Sequence, residues 1–238
     1  MRRVLFAFLL VCICNPAWAT KIILPATQDN TLYESGSGLF SNGSGQHMFA
    51  GVPNEPVRRR AVIAFKNIDD EIPEDATITS AKLHLHLSRE TSDATIIRLY
   101  RLTSDWGEGA SQAQPPENTG TNAEPGDATW IHTNWPNFEW TNAGGDYQEE
   151  PSAAELVDGV GNYTFGSSAE MTADVQLWLD KPAQNYGWII IAGENFLTEK
   201  RFDTRENEIE NFRPVRSEEH TSELQSLTNL VCRLLREK

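Results

Sequence analysis

Ala81 to Ser88 alternates with period two: Leu83, Leu85 and Leu87 fall on one face, Lys82, His84 and His86 on the other. A helix cannot segregate residues at that spacing, whereas an antiparallel strand with one wet face does so directly. Ala61 to Phe65 and Thr95 to Leu102 are short β-rich runs of the same kind. Trp188-Ile189-Ile190-Ile191 is apolar on both faces and predicts a central strand. Turn signals separate these runs at Ser41-Asn42-Gly43-Ser44-Gly45, at Ile72-Pro73-Glu74-Asp75 and at Asp158-Gly159. One stretch reads as helical, with Met171, Val175, Trp178 and Leu179 sharing a face and Pro182 stopping the run. Short strands, frequent turns and one short helix predict an all-β fold, an antiparallel β-sandwich of jelly-roll type.

The two ends read differently from the middle. Arg2 and Arg3, the apolar run Val4 to Cys14, Pro16 and Ala17-Trp18-Ala19 form the pattern of a cleaved secretory signal over residues 1–19. From Arg216 the chain runs Arg-Ser-Glu-Glu-His-Thr-Ser-Glu-Leu-Gln-Ser, which resembles a translated sequencing-library adapter. Residues 216–238 are therefore expected to be an artefactual tail, and the domain to be residues 20–215. The leader takes two arginines and the tail four basic and four acidic residues. That leaves 14 basic against 30 acidic side chains and a net charge of −16. All three cysteines, Cys12, Cys14 and Cys232, lie in the ends, so the domain carries no disulfide. A chain this acidic lacks the Lys/Arg that would displace counterions from nucleic acid or hold an anionic bilayer, so neither nucleic-acid binding nor membrane insertion of the mature domain is expected.

Between Thr103 and Gly161 the alternation lapses. The stretch is rich in Gly, Pro, Asn, Asp and Glu, yet it carries Trp106, Trp130, Trp135 and Trp140. Four tryptophans argue for an ordered loop folded over one side of the sandwich.

An ordered series of short motifs spans Ile23 to Pro214. It comprises Asp29-Asn30-Thr31-Leu32-Tyr33-Glu34, Ser41-Asn42-Gly43-Ser44-Gly45, Arg60-Ala61-Val62-Ile63-Ala64-Phe65 and Ile78-Thr79-Ser80-Ala81-Lys82-Leu83. Asp105-Trp106-Gly107-Glu108-Gly109, Ala128-Thr129-Trp130 and Trp140-Thr141-Asn142-Ala143-Gly144-Gly145-Asp146 follow. Asp174-Val175-Gln176-Leu177-Trp178, Asn185-Tyr186-Gly187-Trp188 and Arg201-Phe202-Asp203-Thr204-Arg205-Glu206-Asn207 complete it. The series resembles the DNRLRE-domain proteins. The resemblance implies a secreted bacterial β-sandwich, akin to a carbohydrate-binding module family attached to polysaccharide lyases. It also implies a final strand beyond Pro214, expected to be missing here because Val215 runs into the adapter-like tail.

No G-x-S-x-G, P-loop, G-x-G-x-x-G after a strand or zinc spacing stands in residues 20–215, and no catalytic residue is assigned. His84 and His86 share a face, but without a third ligand they read as solvated surface. Calcium suits oxygen-rich loops, although no EF-hand-like run is present. Glu108 and Asp146 sit in Gly-flanked turns, where a carboxylate usually accepts backbone N–H bonds. Arg201, Arg205 and Glu206 read as a structural motif tying loops down by ion pairs or planar hydrogen bonds, in preference to a ligand clamp, and Trp106 as a loop pin. Trp130, Trp135, Phe138, Trp140 and Tyr147 are the candidate ligand-binding residues, since sugars stack their C–H faces on exposed aromatic rims. The expected function is a non-catalytic, secreted or cell-surface module binding extracellular polysaccharide; the alternative is a structural or adhesive component of an envelope or matrix. Exposure separates the two: solvent-facing aromatics in a groove support the first, buried ones the second.

Overall fold

The computed structural model describes residues 19–66, 68–90, 93–194 and 197–221; the leader and the chain after Thr221 lie outside them. The strands in chain order are β1 (Thr20–Pro25), β2 (Gln28–Tyr33), β3 (Phe40–Ser41), β4 (His47–Ala50), β5 (Arg59–Ala64), β6 (Thr77–Glu90) and β7 (Thr95–Arg101). After these come β8 (Thr121–Asn122), β9 (His132–Asn134), β10 (Phe138–Glu139), β11 (Ala153–Val157) and β12 (Gly161–Gly166). The last three are β13 (Trp188–Ile191), β14 (Lys200–Asp203) and β15 (Val215–Thr221). Two helices, α1 (Ile68–Glu71) and α2 (Ala169–Asp180), complete the main elements.

All pairings are antiparallel. One large sheet runs β1-β15-β6-β14-β4, with β12 on the other edge of β6; the second runs β11-β7-β13-β5-β2. The alternating run is β6, and its Leu83, Leu85 and Leu87 lie in the core as expected. That core is closed by Ile63, Leu99, Trp188 and Ile190 from the second sheet and by Met171, Val175, Trp178 and Leu179 from α2. The apolar run Trp188–Ile191 is β13, between β7 and β5. The long loop does fold over the second sheet: Val62, Ala64, Leu32 and Ile189 on its outer face pack against Leu102, Trp106, Trp130 and Trp140. The β5 and β13 strands are thus buried on both faces.

The α2 helix starts where Ser168 Oγ accepts the Met171 N–H at 3.0 Å, an N-cap that satisfies one of the orphan donors of the first turn. One position on its inner face is not apolar. Asp174 is buried among Ser152 Oγ (2.5 Å), Trp188 Nε1 (2.9 Å) and Arg101 Nε (2.9 Å). Those donors offset the desolvation that pushes its carboxyl up.

The sequence reading ends the domain at Val215 with its last strand missing. In the structure a strand follows Pro214: β15 pairs with β1 along Thr20–Pro25 and with β6 from Thr77 to His84. Backbone hydrogen bonds do not discriminate among side chains, so a polar segment can still complete a ladder. Alternation then turns Arg216, Glu218 and His220 inward, all 4% exposed or less. Arg216 Nε meets Glu218 Oε2 at 2.8 Å, and its guanidinium lies 5.2 Å from the Phe65 ring centroid and 5.7 Å from that of Trp178. Desolvation lowers the Arg216 pKa, and Glu218 only partly opposes it.

A buried ion pair of this kind is replaceable by apolar residues but not divisible. The double variant Arg216→Leu/Glu218→Val is expected to gain about 1–4 kcal/mol in urea unfolding, and Glu218→Val alone to lose about 3–5 kcal/mol by stranding the arginine. A double variant less stable than the single one would contradict this.

Candidate functional site

The motifs of the series converge on the open edge of the second sheet, at β2. Its edge N–H groups lack a neighbouring strand, and the long loop supplies the partner: Asp29 N donates to Glu108 Oε1 at 2.8 Å. Asn30 Nδ2 donates to the Glu108 carbonyl at 2.8 Å and to Ser41 Oγ at 2.9 Å. Gly43 passes so close that a Cβ there would land on the Glu108 carbonyl, which explains the glycine in its motif. Asn42 ties the next turn down through Ala113 N (2.8 Å), the His47 carbonyl (3.0 Å) and Glu117 Oε2 (3.1 Å).

Arg205, just after β14, holds Glu108 in a two-pronged fork, Nε to Oε1 at 2.7 Å and Nη2 to Oε2 at 2.6 Å. Its backbone N–H donates to Asp29 Oδ2 at 2.9 Å, and its Nη2 lies 2.8 Å from Glu206 Oε1. One arginine thus joins three carboxylates from three segments, Glu108 and Glu206 through its guanidinium and Asp29 through its backbone N–H. Asp29, Glu108 and Glu206 each offer an oxygen, and the three lie within 4.8 Å of one another, the one such acidic group among the described residues. Burial, then the neighbouring Glu206, push the Asp29 carboxyl well up. Burial likewise pushes Glu206 up to about 7, against the attraction of Arg205. Asp29 Oδ1 and Glu206 Oε2 are both buried without a hydrogen-bond partner.

Beside this cluster runs a chain of four titratable groups. Glu117 Oε1 lies 3.3 Å from His47 Nδ1, His47 Nε2 lies 3.4 Å from Asp203 Oδ1, and Asp203 Oδ2 lies 2.5 Å from His86 Nδ1. The His86 ring stacks on Phe212 at 3.7 Å. His84 bonds Thr164 and Ser217. The two histidines of β6 therefore serve separate hydrogen-bond networks.

Asp146 stands apart from the carboxylate cluster. It accepts Thr141 N (2.8 Å), Asn142 N (2.9 Å), Asn142 Nδ2 (3.1 Å) and Ser104 Oγ (3.0 Å), the loop-capping role its Gly-flanked position suggests. Burial raises its pKa, but these donors outweigh it and hold the carboxyl below the ordinary range. Arg201 leans on Ser88 Oγ at 3.1 Å and takes no part in the cluster.

The five candidate aromatic residues do not form one rim. Trp130 and Trp140 are each 5% exposed, in the layer beneath the loop. The Arg58 and Arg60 guanidinium groups lie 5.0 and 4.9 Å from the Trp130 ring centroid, and Trp140 Nε1 donates to the Thr129 carbonyl at 2.9 Å. Gly144, at φ +90°, leaves the room that Trp130 and Arg60 occupy. Tyr147 is half-buried against Tyr100, with Arg60 5.6 Å from its ring centroid. Trp106 is a pin, its Nε1 donating to the Tyr186 carbonyl at 2.8 Å. Trp135 is half-buried, and Phe138, in the β9–β10 hairpin, is 66% exposed. A cleft of about 540 Å³ lies between the start of β6 and α2, lined by Thr77, Ser167, Thr172 and Gln176 without an aromatic ring.

Sequence reasoning named Glu108, Arg205 and Glu206 but missed Asp29, which sits in the first motif yet 177 positions from Glu206. The matching signal was the pairing of that motif with the Arg205 motif, which carries no distance information by itself. Compared with known proteins, the chain matches no family model and no curated protein.

Two outcomes are expected here. Arg205→Lys keeps the charge but loses the fork, and urea unfolding should show a loss of about 1–3 kcal/mol. Because Asp146 is more acidic in the folded chain, its contribution is full above pH about 4 and disappears as pH falls through its native pKa. Acid unfolding of Asp146→Asn should therefore show a shallower pH dependence in that window than the parent chain; identical slopes would sink the assignment.

Proposed function

We propose that the chain is a non-catalytic, exported β-sandwich module of the DNRLRE-domain kind, serving as a structural or adhesive component of a cell surface or matrix. The jelly-roll path and the bacterial, extracellular setting belong to the same reading, and so does the foreign origin of residues 216–238. The observation that carries it is the use made of the aromatics. Trp106, Trp130 and Trp140 are committed to fastening the loop to the second sheet, where they cannot stack on a glycan. A strongly acidic exterior keeps such a module apart from nucleic acids and anionic lipid.

A second reading, polysaccharide binding, is favoured by one feature. The β9–β10 hairpin presents Phe138 to solvent with Trp135 close by in sequence, an apolar tip in a polar surround. A glycan-array screen of the parent chain beside Phe138→Ala and Trp135→Ala separates the readings. Silence on every glycan is the expected result for the structural role. Binding by the parent that falls at least tenfold in Phe138→Ala would replace that role with the carbohydrate one.

A further inference from the structure

The cluster of Asp29, Glu108 and Glu206 has an imbalance that its own partners do not remove. Three carboxylates face one guanidinium, which leaves two negative charges in a site where Asp29 is fully buried. Isolated charge is expensive to bury, so the surplus must be met by protons or by a cation. The distribution of hydrogen bonds shows which oxygens remain. Glu108 Oε1 is saturated by Asp29 N and Arg205 Nε, while Oε2 takes only Arg205 Nη2 and keeps a lone pair. Asp29 uses Oδ2 on Arg205 N, and Glu206 uses Oε1 on the guanidinium. Asp29 Oδ1 and Glu206 Oε2 are left, both buried and both without a donor. All are hard oxygen ligands, with no nitrogen or sulfur among them.

We propose that Asp29, Glu108 and Glu206 hold one divalent cation of the calcium type. Two positive charges neutralise the surplus left after Arg205, and oxygen-only ligation selects calcium or magnesium over zinc. Three protein oxygens leave room for waters, which reach the site from the Glu206 side, where that side chain is 20% exposed. Calcium tolerates the irregular geometry of ligands drawn from a strand, a loop and a turn, and magnesium does not. The ion would be a staple between β2, the long loop and the segment after β14. This inference stands on the carboxylates alone and does not depend on the proposed function, so a negative glycan screen leaves it untouched.

The test is thermal unfolding of the full chain after chelation, with calcium, magnesium or zinc chloride added back, together with calorimetric titration of each ion. Calcium is expected to bind once per chain and to raise Tm by about 5–10 °C at a hundredfold excess over Kd, reversibly with chelator. Asp29→Asn and Glu206→Gln should each abolish the shift, and Asp70→Asn, an exposed control, should keep it. Glu206 is the less buried ligand, so Glu206→Gln decides the matter if Asp29→Asn fails to fold. No calcium response in the parent chain, a response only to magnesium or zinc, or a calcium shift that survives Glu206→Gln would overturn the proposal.

Discussion

Two inner strands of the second sheet, β5 and β13, are apolar on both faces, and most of what surrounds them follows from that. On one side Ile63, Leu99, Trp188 and Ile190 meet the first sheet and α2; on the other Val62, Ala64, Leu32 and Ile189 would be bare without a cover. A second helical layer would normally bury such a face. Here a loop does it, and a loop brings unpaired backbone groups with it. The tryptophans supply the apolar area, and the Asn, Asp, Gly and Arg residues of the motifs satisfy the backbone. Both kinds of residue in the long segment are therefore consequences of one requirement.

The polar half of that solution is concentrated at the open edge of β2. Edge strands invite pairing with other chains unless something occupies their N–H and C=O groups. Glu108 occupies one N–H of β2 directly, and Arg205 clamps Glu108 from the other sheet. The edge is thereby closed by side chains, and the two sheets are linked there by charge as well as by packing. The Glu117–His47–Asp203–His86 chain makes a second such link between the loop and the first sheet.

What could be read in advance divides along physical lines. The strands β6 and β13 were legible because their hydrophobic period is a local property. The face of α2 was legible for the same reason, except Asp174, whose burial depends on Arg101, Ser152 and Trp188 far away in the chain. The loop's role as a cover was legible from its tryptophans, but which rings would end up inside was not, because Trp130 and Trp140 differ from Trp135 only in what folds over them. Asp29 stood in the first motif of the series with no role of its own. Its proximity to Glu206 is a matter of sheet topology, which periodicity does not report. The β15 strand lay outside the expected domain because its sequence resembles an adapter, a resemblance that says nothing about whether its backbone can complete a ladder.

The placement of β15 also ties the two ends of the domain into one dynamic unit. Among the described strands β1 pairs with β15 alone, and Ala26 N donates to the Pro214 carbonyl at 3.1 Å. If β15 unfolds, β1 loses its ladder with it. The β1 amides that donate to β15 therefore exchange with solvent deuterium in every state in which β15 is unfolded, and the strand nearest the start of the described chain owes its protection to the one nearest its end.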